Sequence, residues 1–177
     1  MTIKDREFTT FIDADELNNI VRLLADRINH DYSGSSILAC PVLTGAYMFA
    51  ADLLRQLSVP CEVHFVKYTS YEGTASTGVV DCAMPFPAAV KGRNVLIVED
   101  VVDSGISMQH MLHHVQALHP LSVRICSLFF KPHAFKSNFK VDYIGREIGN
   151  EFIVGYGMDY DGLGRTLPHV LVEKNNR

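Results

Sequence analysis

The stretch NVLIVEDVVDSGISM, residues 94–108, decides the fold. Residues 95–98 are four consecutive apolar side chains, the pattern of a strand buried on both faces. The run then delivers two carboxylates, Glu99 and Asp100, an apolar pair, and the small polar turn Asp103-Ser104-Gly105-Ile106-Ser107. A helical pattern over 107–118 follows. In a strand that turns directly into a helix, the first backbone N–H groups, here those of residues 104–107, have no partner inside the helix. With the Ser104 and Ser107 hydroxyls beside them and the positive helix end behind, they form a seat for a phosphate monoester. Three carboxylates next to such a seat would repel a dianion and one another. They make sense beside a ligand that carries hydroxyls and a divalent cation: Glu99 and Asp100 can accept from a ribose 2′- and 3′-hydroxyl or hold Mg²⁺. A bare Asp-Ser-Gly is also a common helix cap, so the whole stretch carries this reading and the tripeptide does not. Neither GxGxxG nor GxxxxGK[ST] is present here, so hydride transfer and nucleoside triphosphate hydrolysis lack their usual markers.

Outward from this segment, helix and strand patterns alternate. Asp13 and Glu16 have capping-box spacing, and Leu17, Ile20, Val21, Leu24 and Ile28 share one helical face. Residues 36–42 read as a strand, Thr44-Gly45 as a loop, and the pattern through Leu57 as a helix; 61–66 and 123–130 read as further strands. Alternation of this kind predicts an α/β fold, a mostly parallel sheet with helices on its faces, and ligands beyond the carboxyl ends of the strands. The run YTSYEGTASTG, 68–78, has no apolar period and is expected to be an exposed loop or arm. The Gly/Pro-rich run 155–168 reads as an ordered tail.

At 177 residues, with 47% hydrophobic and 20% charged side chains, the chain is expected to be one globular domain over residues 1–177. A net charge of −4 and a pI near 6.0 argue against binding nucleic acid through bulk charge. Apolar runs fall far short of a membrane span. The opening MTIKDREFTTF does not read as a secretory signal, so the expected location is cytoplasmic. Cys40, Cys61, Cys82 and Cys126 form no CxxC pair and are expected to be reduced thiols. His110, His113 and His114 have helical spacing that could hold a metal, but they lack a matching carboxylate and read better as a partly solvated helix face.

On these residues the chain resembles the type I phosphoribosyltransferases, and specifically the hypoxanthine-guanine enzymes of bacteria. VLIVEDVVDSGIS is closely similar to that family's 5-phosphoribosyl-1-diphosphate (PRPP) motif. VLTGAYMFAADL (42–53), SYEGTASTG (70–78), LFFKP (128–132) and EFIVGYGMDY (151–160) with Arg165 also resemble family segments, in the family's order. The likeness covers nearly the whole chain and implies the family fold, with a small hood formed by N- and C-terminal segments.

The resemblance implies roles residue by residue. Asp103 is the proton acceptor near purine N7, and Ser104, Gly105, Ile106 and Ser107 hold the 5′-phosphate. Glu99 and Asp100 serve the ribose and Mg²⁺, and Asp159 is associated with a second metal. Thr44 and Gly45 fall in the pyrophosphate loop, which in the family often contains a non-proline cis peptide; many relatives carry Lys or Arg at the position of Thr44, so a side-chain charge is missing there and Arg165 gains weight. Lys131 contacts the purine 6-oxygen, Phe152 stacks on the base, and Ile153 meets the base edge through its backbone. From periodicity alone, Phe152 and Ile153 would be plain core. Ser70 and Tyr71 belong to a mobile loop that closes over the site. The implied reaction is transfer of phosphoribosyl from PRPP to hypoxanthine or guanine, giving IMP or GMP and pyrophosphate, in a homodimer or homotetramer with no membrane or nucleic-acid partner. Two other readings stand beside it: a PRPP-sensing regulatory protein of the same fold, and an enzyme preferring xanthine, which Lys131 cannot separate from guanine because both carry a 6-oxo group.

Overall fold

Strand β7 (Asn94–Val102) lies at the centre of the molecule and explains its own sequence. In the computed structural model, which describes residues 1–70 and 80–174, β7 is the middle of a five-stranded sheet ordered β4-β3-β7-β8-β9. Its companions are β3 (Ile37–Pro41), β4 (Cys61–Val63), β8 (Ser122–Phe130) and β9 (Tyr143–Glu147), all parallel to their neighbours. Leu96 and Val98 pack towards helices α1 (Ala14–Asp31) and α2 (Tyr47–Leu54), whereas Val95 and Ile97 pack towards α3 (Ile106–Gln116). Alternate residues of one strand thus meet different helical layers, which is why the run is continuously apolar.

After β3 the chain moves outward to β4, then returns to β7 on the other side of β3 and continues to β8 and β9. The direction reverses between β3 and β7, so the loops leaving their carboxyl ends diverge and open a crevice at that point. The remaining strands form the expected hood, ordered β1-β2-β11-β10, from β1 (Thr2–Ile3), β2 (Arg6–Ile12), β10 (Ile153–Val154) and β11 (Val170–Glu173). Strands β5 (Lys67–Ser70) and β6 (Val80–Met84) pair as an antiparallel ribbon. The stretch 68–78, expected as a loop or arm, begins as strand in this ribbon; Tyr71 and the rest of it lie outside the described residues.

Several boundaries move for local reasons. The expected strand at 95–98 runs on to Val102, because β8 continues beside it after the pairing with β3 has ended at Val98, and so Glu99 and Asp100 belong to the strand. The helix expected through Leu57 ends at Leu54, and the strand over 61–66 ends at Val63, with Val66 making an isolated bridge to Val42. Asp13 caps α1 by accepting from the Glu16 N–H at 2.8 Å, but the Glu16 carboxylate pairs with Arg146 on β9, so half of the capping box is spent bracing helix to sheet. Among the described residues, no helix is long and apolar enough to cross a membrane.

Candidate active site

The two loops at the crevice carry the polar groups. Beyond β7, Gly105 adopts φ +81°, and a Cβ there would lie 2.6 Å from the Phe135 ring and 2.8 Å from Ser137 Oγ, so only glycine fits. The Ser104 carbonyl accepts from the Lys136 N–H at 3.1 Å and from Ser137 Oγ at 3.4 Å. These bonds hold the peptide that leads into α3, whose Ile106 N–H donates to Ser104 Oγ at 3.4 Å, a long bond across the turn. A recess of about 110 Å³ lies here, lined by Asp103, Ser104, Gly105 and Ser107 and walled by Glu99 and Val101.

Glu99, Val101 and Ser107 also line a larger cleft of about 540 Å³ that reaches Leu43, Gly45, Asp159 and Arg165, so the recess and the cleft share a wall. Glu99 is partly buried between the two cavities with the Asp100 carboxylate beside it; burial first, then this like charge, pushes its carboxyl well above the usual glutamate range. Asp100 Oδ1 accepts the Val101 N–H at 2.9 Å, and its carboxylate lies flat against Gly45. Two crowded carboxylates at a cleft floor are hard oxygen donors that a divalent cation would relieve of repulsion, so the donor set fits Mg²⁺.

Across the crevice, the Leu43–Thr44 peptide is cis. The Val42 N–H donates to Val98 O at 2.9 Å and the Leu43 N–H to Val66 O at 2.8 Å, which ties this loop to β7 and to the start of the ribbon. Gly157, at φ +103°, presses on the Gly45 carbonyl, leaving no room for a Cβ. The Tyr47 hydroxyl donates to Arg165 O at 3.2 Å. Arg165 donates from Nη1 to Gly157 O at 2.8 Å and pairs through Nη2 with Asp159 Oδ1 at 2.5 Å. Asp159 Oδ2 also accepts from the Gly162 N–H at 2.7 Å, so both of its oxygens are already engaged.

Lys131 follows β8, its N–H donating to Val102 O at 3.0 Å. Its ammonium reaches 3.3 Å from Asp103 Oδ2, and the lysine side chain is only 12% exposed while that of the aspartate is 54% exposed. Phe152, just before β10, is 40% exposed despite its size and packs edge-on against Tyr160, whereas Ile153 is buried. The crevice therefore gathers Glu99, Asp100, Ser107, Gly45, Asp159 and Arg165, with Asp103 and Lys131 at its rim. Ser70 ends β5, and Tyr71 lies outside the described residues. Of the histidines, His114 sits 3.4 Å from the Tyr68 hydroxyl, and no group of three metal-ligating side chains occurs among the described residues. All four cysteines are free. Tyr47, Tyr68 and Ser137 were not singled out from sequence, since tyrosines and serines carry no spacing signal of their own.

The strand-to-helix turn, the acidic pair on the strand below it and an arginine held across the crevice are chemically suited to a phosphorylated sugar. The phosphoribosyl transferase domain family matches residues 13–161. The hypoxanthine-guanine phosphoribosyltransferase of Mycobacterium bovis is 36% identical over 169 residues, covering 92% of this chain and 84% of the relative. The enzyme of that name from Staphylococcus aureus is 31% identical, covering 88% of each chain. A crystal structure of a hypoxanthine-guanine phosphoribosyltransferase from Bacillus anthracis superposes with a TM-score of 0.89 at 34% identity, over 94% of this chain and 99% of that one. The chain belongs to the phosphoribosyltransferase family, on the hypoxanthine-guanine side of it.

Proposed function

We propose that this protein is a purine salvage enzyme that transfers the 5-phosphoribosyl group of PRPP to hypoxanthine or guanine, releasing pyrophosphate. The observation that carries the base assignment is the Lys131–Asp103 pair, 3.3 Å apart at the ends of adjacent strands. An ammonium only donates and a carboxylate accepts. Side by side they complement the neighbouring 6-oxo and N7–H groups of a 6-oxopurine. Adenine would turn its amino group towards the ammonium, donor against donor, so that neither group gains a hydrogen bond in a largely buried place.

In this reading the N–H groups and hydroxyls of residues 104–107 hold the 5′-phosphate and fix the ribose. Glu99 and Asp100 accept from the ribose hydroxyls and would hold Mg²⁺, which when bound supplies positive charge to the leaving pyrophosphate. As N9 attacks the anomeric carbon, the sugar gains positive charge and the base becomes more acidic. Asp103 takes up the N7 proton while the carboxylates below the ribose stabilise the developing cation. Arg165, with the backbone and hydroxyl donors of Thr44 and Gly45, receives the pyrophosphate oxygens. Asp159 holds Arg165, so the acidic pair is the better cation seat. Phe152 offers its ring to the base and Ile153 its backbone.

We place the protein in the cytoplasm, as one domain that assembles into a homodimer or homotetramer. No observation favours the regulatory or the xanthine-preferring reading. The test is nucleotide formation from hypoxanthine, guanine, xanthine and adenine, with PRPP and Mg²⁺. Turnover of the first two and none of adenine is expected. PRPP binding without turnover of any base would move the protein to the sensor class.

A further inference from the structure

Phe152 is an exposed phenyl ring at the edge of a two-residue strand, and a ring so placed needs something to hold its plane. What holds it comes from the other end of the chain. The Arg6 guanidinium lies 5.5 Å from the centroid of Phe152 and 4.7 Å from that of Tyr160, and is anchored by an ion pair to Glu173 at 3.2 Å. Arg6 and Phe8 are two residues apart on β2, so their side chains leave the same face of the hood. Phe8 is fully buried beneath the same two rings, with centroids 6.3 Å from each. Tyr160 is fixed in turn by its hydroxyl, which donates to Asp5 Oδ1 at 2.7 Å. The rings therefore rest on β2, and the exposed part of Phe152 is left for a ligand.

We propose that Arg6 is a positioning residue for purine binding: held by Glu173, it lies against the Phe152 ring and fixes the plane on which the base stacks. This rests on the reading of Phe152 as the purine platform. A planar guanidinium suits the task because it can stack and ion-pair together, which an ammonium does poorly. The cationic charge on the ring also draws on the same π-cloud that meets the base. It follows that a residue with no direct role in the chemistry sets affinity for one substrate and not the other.

The test is steady-state kinetics of Arg6→Ala, Arg6→Lys and Glu173→Gln, with Phe152→Ala in parallel, varying hypoxanthine and PRPP separately. Arg6→Ala should raise the hypoxanthine KM about fivefold and leave the PRPP KM unchanged. Arg6→Lys and Glu173→Gln should fall between it and the wild type. A merely structural role would lower the active fraction or the melting temperature and move neither KM selectively. If Phe152→Ala raises the hypoxanthine KM and Arg6→Ala leaves it unchanged or lowers it, the inference about Arg6 is wrong while the platform stands. If both KM values rise together in Arg6→Ala, the residue holds the hood generally and the inference also fails. If Phe152→Ala itself leaves the hypoxanthine KM unchanged, the platform reading falls and takes the inference with it.

Discussion

Replacing Gly45 by alanine tests whether the acidic pair must stand where it does. The Gly45 Cα is covered by the Asp100 carboxylate: a Cβ there would overlap Oδ2 deeply and sit 2.6 Å from Cγ, where 3.4 Å is ordinary contact. The Gly45 side cannot yield, because its carbonyl is pressed by Gly157 and its loop is tied to β7 through the Val42 N–H. Asp100 must therefore withdraw by on the order of 1 Å and give up its bond from the Val101 N–H. A displacement of this size in a group that orients a reacting substrate costs on the order of 100-fold in rate. Gly45→Ala is expected to lower kcat/KM for PRPP by about that factor, with a melting temperature close to the wild type. If the clash is the cause, adding Gly45→Ala to Asp100→Ala should cost little more than Asp100→Ala alone, since the carboxylate that collides is gone. A Gly45→Ala enzyme within about threefold of wild type, or fully additive losses in the double variant, would refute the reasoning.

Lys131→Ala removes a charge-assisted hydrogen bond of about 1.5–3 kcal/mol and should raise the hypoxanthine KM by roughly 10- to 150-fold with little change in PRPP affinity, read by steady-state kinetics. Tyr47→Phe deletes only the hydroxyl that donates to Arg165 O; pyrophosphate and PRPP should bind about two- to tenfold more weakly by calorimetry, with hypoxanthine unaffected. Glu99 has a folded pKa above its unfolded value, so it takes up a proton on folding and favours the fold at pH below the ordinary glutamate range. That contribution is lost as pH rises through the raised value. In a chelator, Glu99→Gln should therefore melt above the wild type by a margin that widens as pH rises from the ordinary glutamate range towards neutrality, although the variant loses activity. A pH-independent margin would show that the carboxyl is not held protonated.

How much of this was legible beforehand follows the reach of each constraint. Strand β7 reads from its own side chains because helices bury both of its faces, which leaves a continuous apolar run. Asp103, Ser104 and Gly105 read because a strand-to-helix turn is local. The hood does not read in this way. Its β10 has two residues, and the partners of its strands come from opposite ends of the chain, with Glu173 opposite Phe8. The seven residues REFTTFI of β2 show a weak apolar alternation that only the covering rings of Phe152 and Tyr160 make sense of. The resemblance supplied those hood residues where periodicity suggested core. Arg6, Tyr47 and Ser137 act through long-range contacts that leave no spacing in the sequence.

The division between sheet and hood also accounts for Thr44. The sheet end supplies the carboxylates, and these alone would repel pyrophosphate. Positive charge has to come from elsewhere, and a lysine or arginine at the position of Thr44 is one source that this chain lacks. In the proposed reading Arg165 is a second source beside the divalent cation, and it serves only if the hood stands at a fixed height above the crevice. Three contacts set that height: Gly157 on the Gly45 carbonyl, Tyr47 to Arg165 O, and the Tyr156 hydroxyl donating to Asp52 Oδ2 at 2.6 Å. Each joins the hood to the loop or helix after β3, the same segment that carries Thr44. The guanidinium is thus fixed beside the loop that carries Thr44, with its plane set by Asp159 and Gly157 O before any ligand arrives. A charge held in place costs little further ordering on binding, and on the proposed reading this lets one arginine serve where relatives have a second cation.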